Sequence, residues 1–171
     1  MSGSAFENLK VLLVEDNTQM RILMRDLLAG IGFKQVLDAP NGEAAIALLR
    51  ERKCNLILSD MAMQPMDGLE FTRRIRNGET GADPHVPIIM VTGHTERHRV
   101  EMARDAGVTE ILAKPITIQN LHARLAEIVE RPRAYIRTEN YFGPDRRRRI
   151  VGTYAGPWRR ADDRKDLGEG L

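Results

Sequence analysis

Over the first 130 residues, short apolar runs alternate with apolar positions at helical spacing. The runs are Val11-Leu12-Leu13-Val14, Val36-Leu37, Leu56-Ile57-Leu58, Ile88-Ile89-Met90-Val91 and Ile111-Leu112. Runs this short, without polar alternation, suit strands buried on both faces. Between them, Met20, Leu23 and Leu27 form a helical stripe that ends at Gly30. Asn41 is placed to cap a helix over Gly42 to Arg52 with Ala45, Leu48 and Leu49 inward. Thr117 opens a last helix whose stripe is Ile118, Leu121, Leu125 and Ile128. Five strand–helix units predict an α/β fold, a five-stranded parallel doubly wound (βα)5 sheet. Such sheets bind ligands at the carboxyl ends of their strands.

The pattern stops after Val129, where Glu130-Arg131-Pro132-Arg133 ends a helix. Charge changes at the same place. Residues 131–171 carry 11 Lys+Arg against 6 Asp+Glu, whereas the first 130 carry 15 against 18. The net +2 of the 171-residue chain therefore splits into +5 and −3, an acidic body with a basic tail. The organisation expected is a leader over 1–8, a body over 9–130 and an arginine-rich tail over 131–171 that is flexible until bound to a ligand. With 42% hydrophobic residues the body can form a core. Cys54 is the only cysteine, which excludes an internal disulfide and a cysteine-built zinc site. Without a secretory leader or a membrane-length apolar run, a cytoplasmic location is expected.

The strand ends carry the chemistry. The first run leads into Glu15-Asp16, the third into Ser59-Asp60, the fourth into Thr92-Gly93 and the fifth into Ala113-Lys114-Pro115. Three carboxylates brought to one sheet edge repel and raise one another's pKa values. A divalent cation removes the conflict, and an all-oxygen site suits Mg²⁺. With a lysine and a hydroxyl beside it, a carboxylate can act as nucleophile and form an acyl phosphate. His85, His94, His98 and His122 have no metal-site spacing.

These residues resemble the receiver domain of response regulators, the CheY-like phosphoacceptor module of two-component signalling. The resemblance spans residues 9–130 and rests on Glu15-Asp16, on Asp60 with Met66-Asp67-Gly68 following, on Thr92-Gly93 and on Lys114-Pro115. It implies that Asp60 is the phosphoacceptor and Asp16 a direct Mg²⁺ ligand. Glu15 would bind the metal through water, and the Ala62 carbonyl would complete its shell. Lys114 would bind phosphate, and Thr92 would supply the hydroxyl that moves on phosphorylation. It also implies a histidine kinase or phosphotransfer protein as donor, and no enzyme activity beyond self-catalysed phosphoryl transfer to aspartate. Two positions depart from the family: Gln64-Pro65 replaces an earlier proline, and Ile111 stands where an aromatic is usual. Without that ring, changes on phosphorylation are expected to stay near Thr92 and Ala62.

The tail contains a near-repeat. Gly143-Pro144-Asp145-Arg146-Arg147 returns as Gly156-Pro157-Trp158-Arg159-Arg160, each copy preceded by a tyrosine, Tyr141 or Tyr154. It is too short and too polar for a conventional DNA-binding domain. Arginine outnumbers lysine ten to one there. A guanidinium offers a planar fork to phosphate or to a guanine edge, and its face stacks on bases. Arginines, acids and aromatics in two similar copies fit a ligand with guanines, phosphates and two-fold repetition, as in cyclic di-GMP. Expected contacts are Arg137, Asp145, Arg146, Arg147, Arg148, Arg149, Tyr154, Trp158, Arg159, Arg160, Asp162, Asp163 and Arg164. The tail is similar to the arginine-rich extension of receiver-like adaptors that bind cyclic di-GMP, some of which act at the flagellar motor. The expected protein is a signalling adaptor that accepts phosphate, binds cyclic di-GMP and controls a protein partner, such as a motor component. The alternative is a phosphorylation-only regulator whose tail binds an acidic protein or nucleic acid; no membrane partner is expected.

Overall fold

A computed structural model describes residues 4–146. Five parallel strands form one sheet: β1 (Lys10–Val14), β2 (Gln35–Ala39), β3 (Leu56–Asp60), β4 (Ile88–Thr92) and β5 (Glu110–Ala113), in the order β2-β1-β3-β4-β5. Four helices connect them, α1 (Thr18–Ile31), α2 (Gly42–Glu51), α3 (Gly68–Arg76) and α4 (Arg97–Ala106), and α5 (Ile118–Glu130) follows β5. The predicted doubly wound α/β fold is the one observed.

The apolar runs are continuous because each strand supplies two cores. Val11, Leu13, Leu58, Ile89, Val91 and Leu112 face one side, under α1 and α5. Their neighbours Leu12, Val14, Ile57 and Ile88 face the other, under α2 and α3. A fully buried aliphatic side chain contributes about 1.5–3 kcal/mol and an exposed ion pair about 0–1 kcal/mol. The two cores therefore hold the sheet, and the surface charges are free for other uses.

The helix starts follow their caps. The side chains of Asn17, Asn41, Asp67 and Thr117 accept from backbone N–H groups three residues on, and Thr117 forms a capping box with Asn120. Two stripes differ from expectation. In α1 the fully buried residues are Met24 and Leu28, Leu23 is 47% exposed, and the helix continues past Gly30 to end at Gly32. Met20 and Leu27 of the expected stripe pack, partly buried, against the core, and only Leu23 turns out, because Met24 and Leu28 supply the centre of the seam. In α5, Leu121 and Leu125 are buried but Ile118, in the first turn, is exposed.

The folded unit also extends beyond the boundary expected at 130, and the leader is part of it. Phe6 stacks on Phe33 and meets His122 edge-on. After α5, β6 (Tyr135–Arg137) and β7 (Phe142–Pro144) pair as an antiparallel hairpin. The hairpin lies against the amino ends of β4 and β5, the end of the sheet opposite Asp60. Its anchor is Arg76, at the end of α3 and 4% exposed. Arg76 donates from Nε to the Gly107 carbonyl (2.9 Å) and from Nη1 to the Pro84 and Val86 carbonyls (2.7 Å each). Its guanidinium also lies over the Tyr135 ring. Tyr135, Phe142 and His85 form an aromatic cluster beside it. Gly143 meets Gly107 so closely that a Cβ there would lie 2.9 Å from the Gly107 Cα and 2.5 Å from the Tyr141 Oη. Of the tail, residues 131–146 thus have defined places.

Replacing Arg76 removes charge-assisted hydrogen bonds and leaves buried carbonyls unpaired. Arg76→Met is expected to lower unfolding free energy by about 2–4 kcal/mol in urea titrations. It should also raise amide exchange at Thr138 and Asp145, whose N–H groups bond within the hairpin segment. A loss below about 0.5 kcal/mol would show that Arg76 does not anchor it.

Candidate functional site

The topology brings together the predicted strand-end residues. Glu15 and Asp16 follow β1, Asp60 ends β3, Thr92 ends β4 and Lys114 follows β5. Carboxylate oxygens of Glu15, Asp16 and Asp60 lie within 4.8 Å of one another. Lys114 Nζ stands 3.3 Å from Asp60 Oδ1 and 4.0 Å from Glu15 Oε2. The Lys114 N–H donates to the Thr92 carbonyl, tying the two strand ends together.

Burial sharpens the conflict among these charges. Glu15 is 1% exposed; its Oε1 accepts from the Asn17 N–H at 3.0 Å, and its Oε2 has no hydrogen-bond partner. Burial first, then the neighbouring Asp60, pushes Glu15 up to about 7, against the Asn17 hydrogen bond and Lys114. Burial likewise raises Asp60, with Lys114 opposing. Three carboxylates against one lysine leave −2 when all are ionised. The orphaned Glu15 oxygen and the all-carboxylate donor set fit a divalent cation of the Mg²⁺ class.

The loop after β3 is held by Gly68. Its N–H donates to the Met61 carbonyl, and a Cβ on it would lie 2.2 Å from the Asp60 carbonyl oxygen. The sequence Met66-Asp67-Gly68 thus has a local cause, since Asp67 caps α3 and Gly68 permits close approach to the end of β3. Ala62 lies exposed on the rim of this loop. The Thr92 hydroxyl donates to the His94 carbonyl and accepts from the His94 N–H, both at 3.0 Å, so a turn engages it. Ile111 packs partly buried beside Met61 and Met90.

Residues 11–126 match the family of the response regulator receiver domain. The chain belongs to that family. The chemotaxis protein CheY of Pseudomonas aeruginosa is 32% identical over 123 residues, 72% of this chain and 98% of that protein. Among solved structures, CheY4 of Vibrio cholerae is 28% identical with a TM-score of 0.65, covering 70% of this receiver chain and 98% of its own. The receiver domain of a Pseudomonas aeruginosa sensor histidine kinase, solved with a magnesium ion coordinated in its active-site cleft, is 30% identical with a TM-score of 0.64. That match covers 71% of this chain and 98% of that one.

The tail residues expected to bind ligand divide in two. Arg137 lies over the Phe142 ring, and Arg146 lies over the Tyr141 ring, both at 4.2 Å. Arg146 also pairs with Asp105 of α4 at 3.0 Å, and the Asp145 N–H donates to the Ala134 carbonyl. Arg147, Arg148, Arg149, Tyr154, Trp158, Arg159, Arg160, Asp162, Asp163 and Arg164 lie outside the described residues. Among the described residues, no helix is long and apolar enough to cross a membrane. Sequence reasoning missed Arg76 and the Glu110 pair with Arg124 and Arg133. A buried arginine in a helix whose other basic residues are exposed leaves no periodic signal.

The raised pKa of Glu15 gives the receiver a signed pH dependence. A carboxyl held near 7 when folded, against an ordinary 4.5, adds stability in full below about pH 4.5 that is lost as pH rises through about 7. Mg²⁺ binds the ionised form. The rise in Tm on adding Mg²⁺ is therefore expected to be larger at about pH 8 than at about pH 5.5 in paired thermal melts. An equal rise at both would contradict the assignment of the orphaned carboxylate to a metal.

Proposed function

We propose that this receiver accepts a phosphoryl group on Asp60 and that its arginine-rich tail binds cyclic di-GMP, making it a signalling adaptor for a protein partner. The observation that carries the first half is Asp60 at 3.3 Å from Lys114, beside two further carboxylates. Mg²⁺ would be held by Asp16, Asp60 and the Ala62 carbonyl, with Glu15 acting through water. When bound, the ion supplies charge neutralisation for the phosphoryl oxygens. The related receiver solved with magnesium in its cleft supports that assignment.

The chain's own residues do the rest. A carboxylate oxygen of Asp60 attacks the phosphorus of a phosphohistidine on a histidine kinase or phosphotransfer protein. The P–N bond breaks, its electron pair returns to the imidazole, and an acyl phosphate remains on Asp60. Lys114 pairs with a phosphoryl oxygen as Asp60 gives up its own charge, and the Thr92 hydroxyl leaves the His94 turn to donate to another. Because Ile111 offers no polar ring, the response to phosphorylation stays close to Thr92 and Ala62.

The tail reading rests on sequence: the repeated Gly-Pro-x-Arg-Arg, the acids Asp145, Asp162 and Asp163, and the aromatics Tyr154 and Trp158. Arg146, Arg147, Arg159 and Arg160 lead the contacts, followed by Arg137, Arg148, Arg149 and Arg164. A flagellar motor component is the partner class that the likeness to such adaptors favours.

Two measurements test the two halves. With Mg²⁺ and a small phosphodonor, the wild type is expected to gain a base-labile phosphoryl label, and Asp60→Asn to gain none while melting normally. Label persisting in Asp60→Asn would refute the nucleophile. By calorimetry, cyclic di-GMP is expected to bind at micromolar affinity or better and cyclic di-AMP far more weakly. Arg159→Lys should lose about tenfold or more, since a point charge cannot present two parallel donors. Equal binding of any polyanion, collapsing in moderate salt, would instead make the tail a polybasic arm.

A further inference from the structure

At the amino ends of β1 and β2, away from Asp60, lies a cleft of about 650 Å³. Three cations line it: Lys10, the first residue of β1, and Arg52 and Lys53, which follow α2. All three are exposed, and none has an ion-pair partner among the described residues. Other surface cations do have one. Arg21 and Arg25 share Asp38 of β2, Lys34 holds Glu7, and Arg74 and Arg97 pair within their own helices. Asp38 and Glu7 are therefore already engaged. Among the described residues, Glu51 is the one carboxylate that lines the cleft.

Three cations against one carboxylate leave +2. The helix α2 ends here at Glu51, and its dipole supplies about half a negative charge. That offsets a quarter of the excess, so complementing the helix end does not account for three cations. Lysine on an outer strand can also guard it against pairing with another chain. None of these three lies on β2, the outer strand, so that role is not theirs either. Their backbone frame is fixed. The Lys10 N–H donates to Asn55 Oδ1 and the Lys10 carbonyl accepts from the Asn55 N–H, both at 2.8 Å, while the Arg52 N–H donates to the Leu48 carbonyl. Beside the cations, Val36 and Leu37 of β2 add partly buried apolar surface. Because β2 is an outer strand, alternate residues turn their N–H and C=O groups away from β1. The volume falls within the ~300–1,000 Å³ that encloses a whole small ligand. Phosphates alone would use the cations and leave Val36 and Leu37 uncovered; a phosphate-bearing ligand with a planar base uses both.

We propose that this cleft binds a nucleoside diphosphate: Lys10, Arg52 and Lys53 take the phosphates, and the base lies along Val36 and Leu37 at the free edge of β2. Glu51 is left to accept from ribose hydroxyls, and Gln35, beside Lys10 in the sheet register, can donate to the base or accept from it. The site is independent of the phosphoryl chemistry at Asp60, since it uses the opposite ends of the strands and none of the same residues.

The test is titration of the full chain with ADP, followed by amide NMR, with inorganic pyrophosphate run beside it. Saturable shifts at Lys10, Val36, Leu37 and Lys53 are expected, with ADP binding about tenfold or more tighter than pyrophosphate. Lys10→Glu and Lys53→Glu each reverse an exposed charge and should leave Tm unchanged while weakening ADP about tenfold or more. Arg73→Glu, an exposed reversal on α3 that does not line the cleft, should leave the affinity unchanged. If Arg73→Glu weakens binding as much as Lys53→Glu, the cleft acts only as diffuse charge and the proposal fails. If pyrophosphate binds as tightly as ADP, the base has no share and the nucleoside assignment is wrong. Absence of saturable shifts at these four residues, whatever happens elsewhere in the chain, overturns the site itself.

Discussion

Three carboxylates confined within 4.8 Å at one end of a parallel sheet, with a single lysine among them, are the constraint on which this molecule depends. Burial makes ionised Glu15 and Asp60 costly, and their mutual repulsion adds to that cost. One Glu15 oxygen is left without any hydrogen bond. Core packing on both faces of the sheet stabilises the fold enough to hold them together. An isolated pair at the surface would move apart; strand ends fixed by two hydrophobic layers cannot. The result is a site that favours a divalent cation, because its charge relieves what the fold imposes.

The opposite end of the sheet is organised by a different charge. Arg76 gathers the carbonyls of Pro84, Val86 and Gly107 and supports the hairpin through Tyr135. This receiver thus keeps phosphoryl chemistry at the carboxyl ends of its strands and its C-terminal anchor at the amino ends.

The sheet and the acidic site were legible because strong local signals coincide with them. Strands buried on both faces leave continuous apolar runs, and caps such as Asn41 and Thr117 mark helix starts directly. The strand-end acids and lysine fall where the topology must converge. The α1 seam was less legible, since Leu23 and Met24 both offer a plausible stripe and only tertiary packing chooses Met24. The hairpin was not legible at all. Its strands have three residues each, and its stability comes from Arg76, His85 and Gly107, which lie 28 to 59 positions before Tyr135, at separations that no local pattern reports.

The central claim is that Asp60, among these carboxylates, is the one that carries the phosphoryl group. Borohydride reduction converts an aspartyl phosphate to homoserine and marks its position in the sequence. After incubation with Mg²⁺ and a small phosphodonor, peptide mapping is expected to find homoserine at position 60 and at neither 15 nor 16. Reduction products at another acid, or none at position 60 in protein that has taken up label, would contradict it.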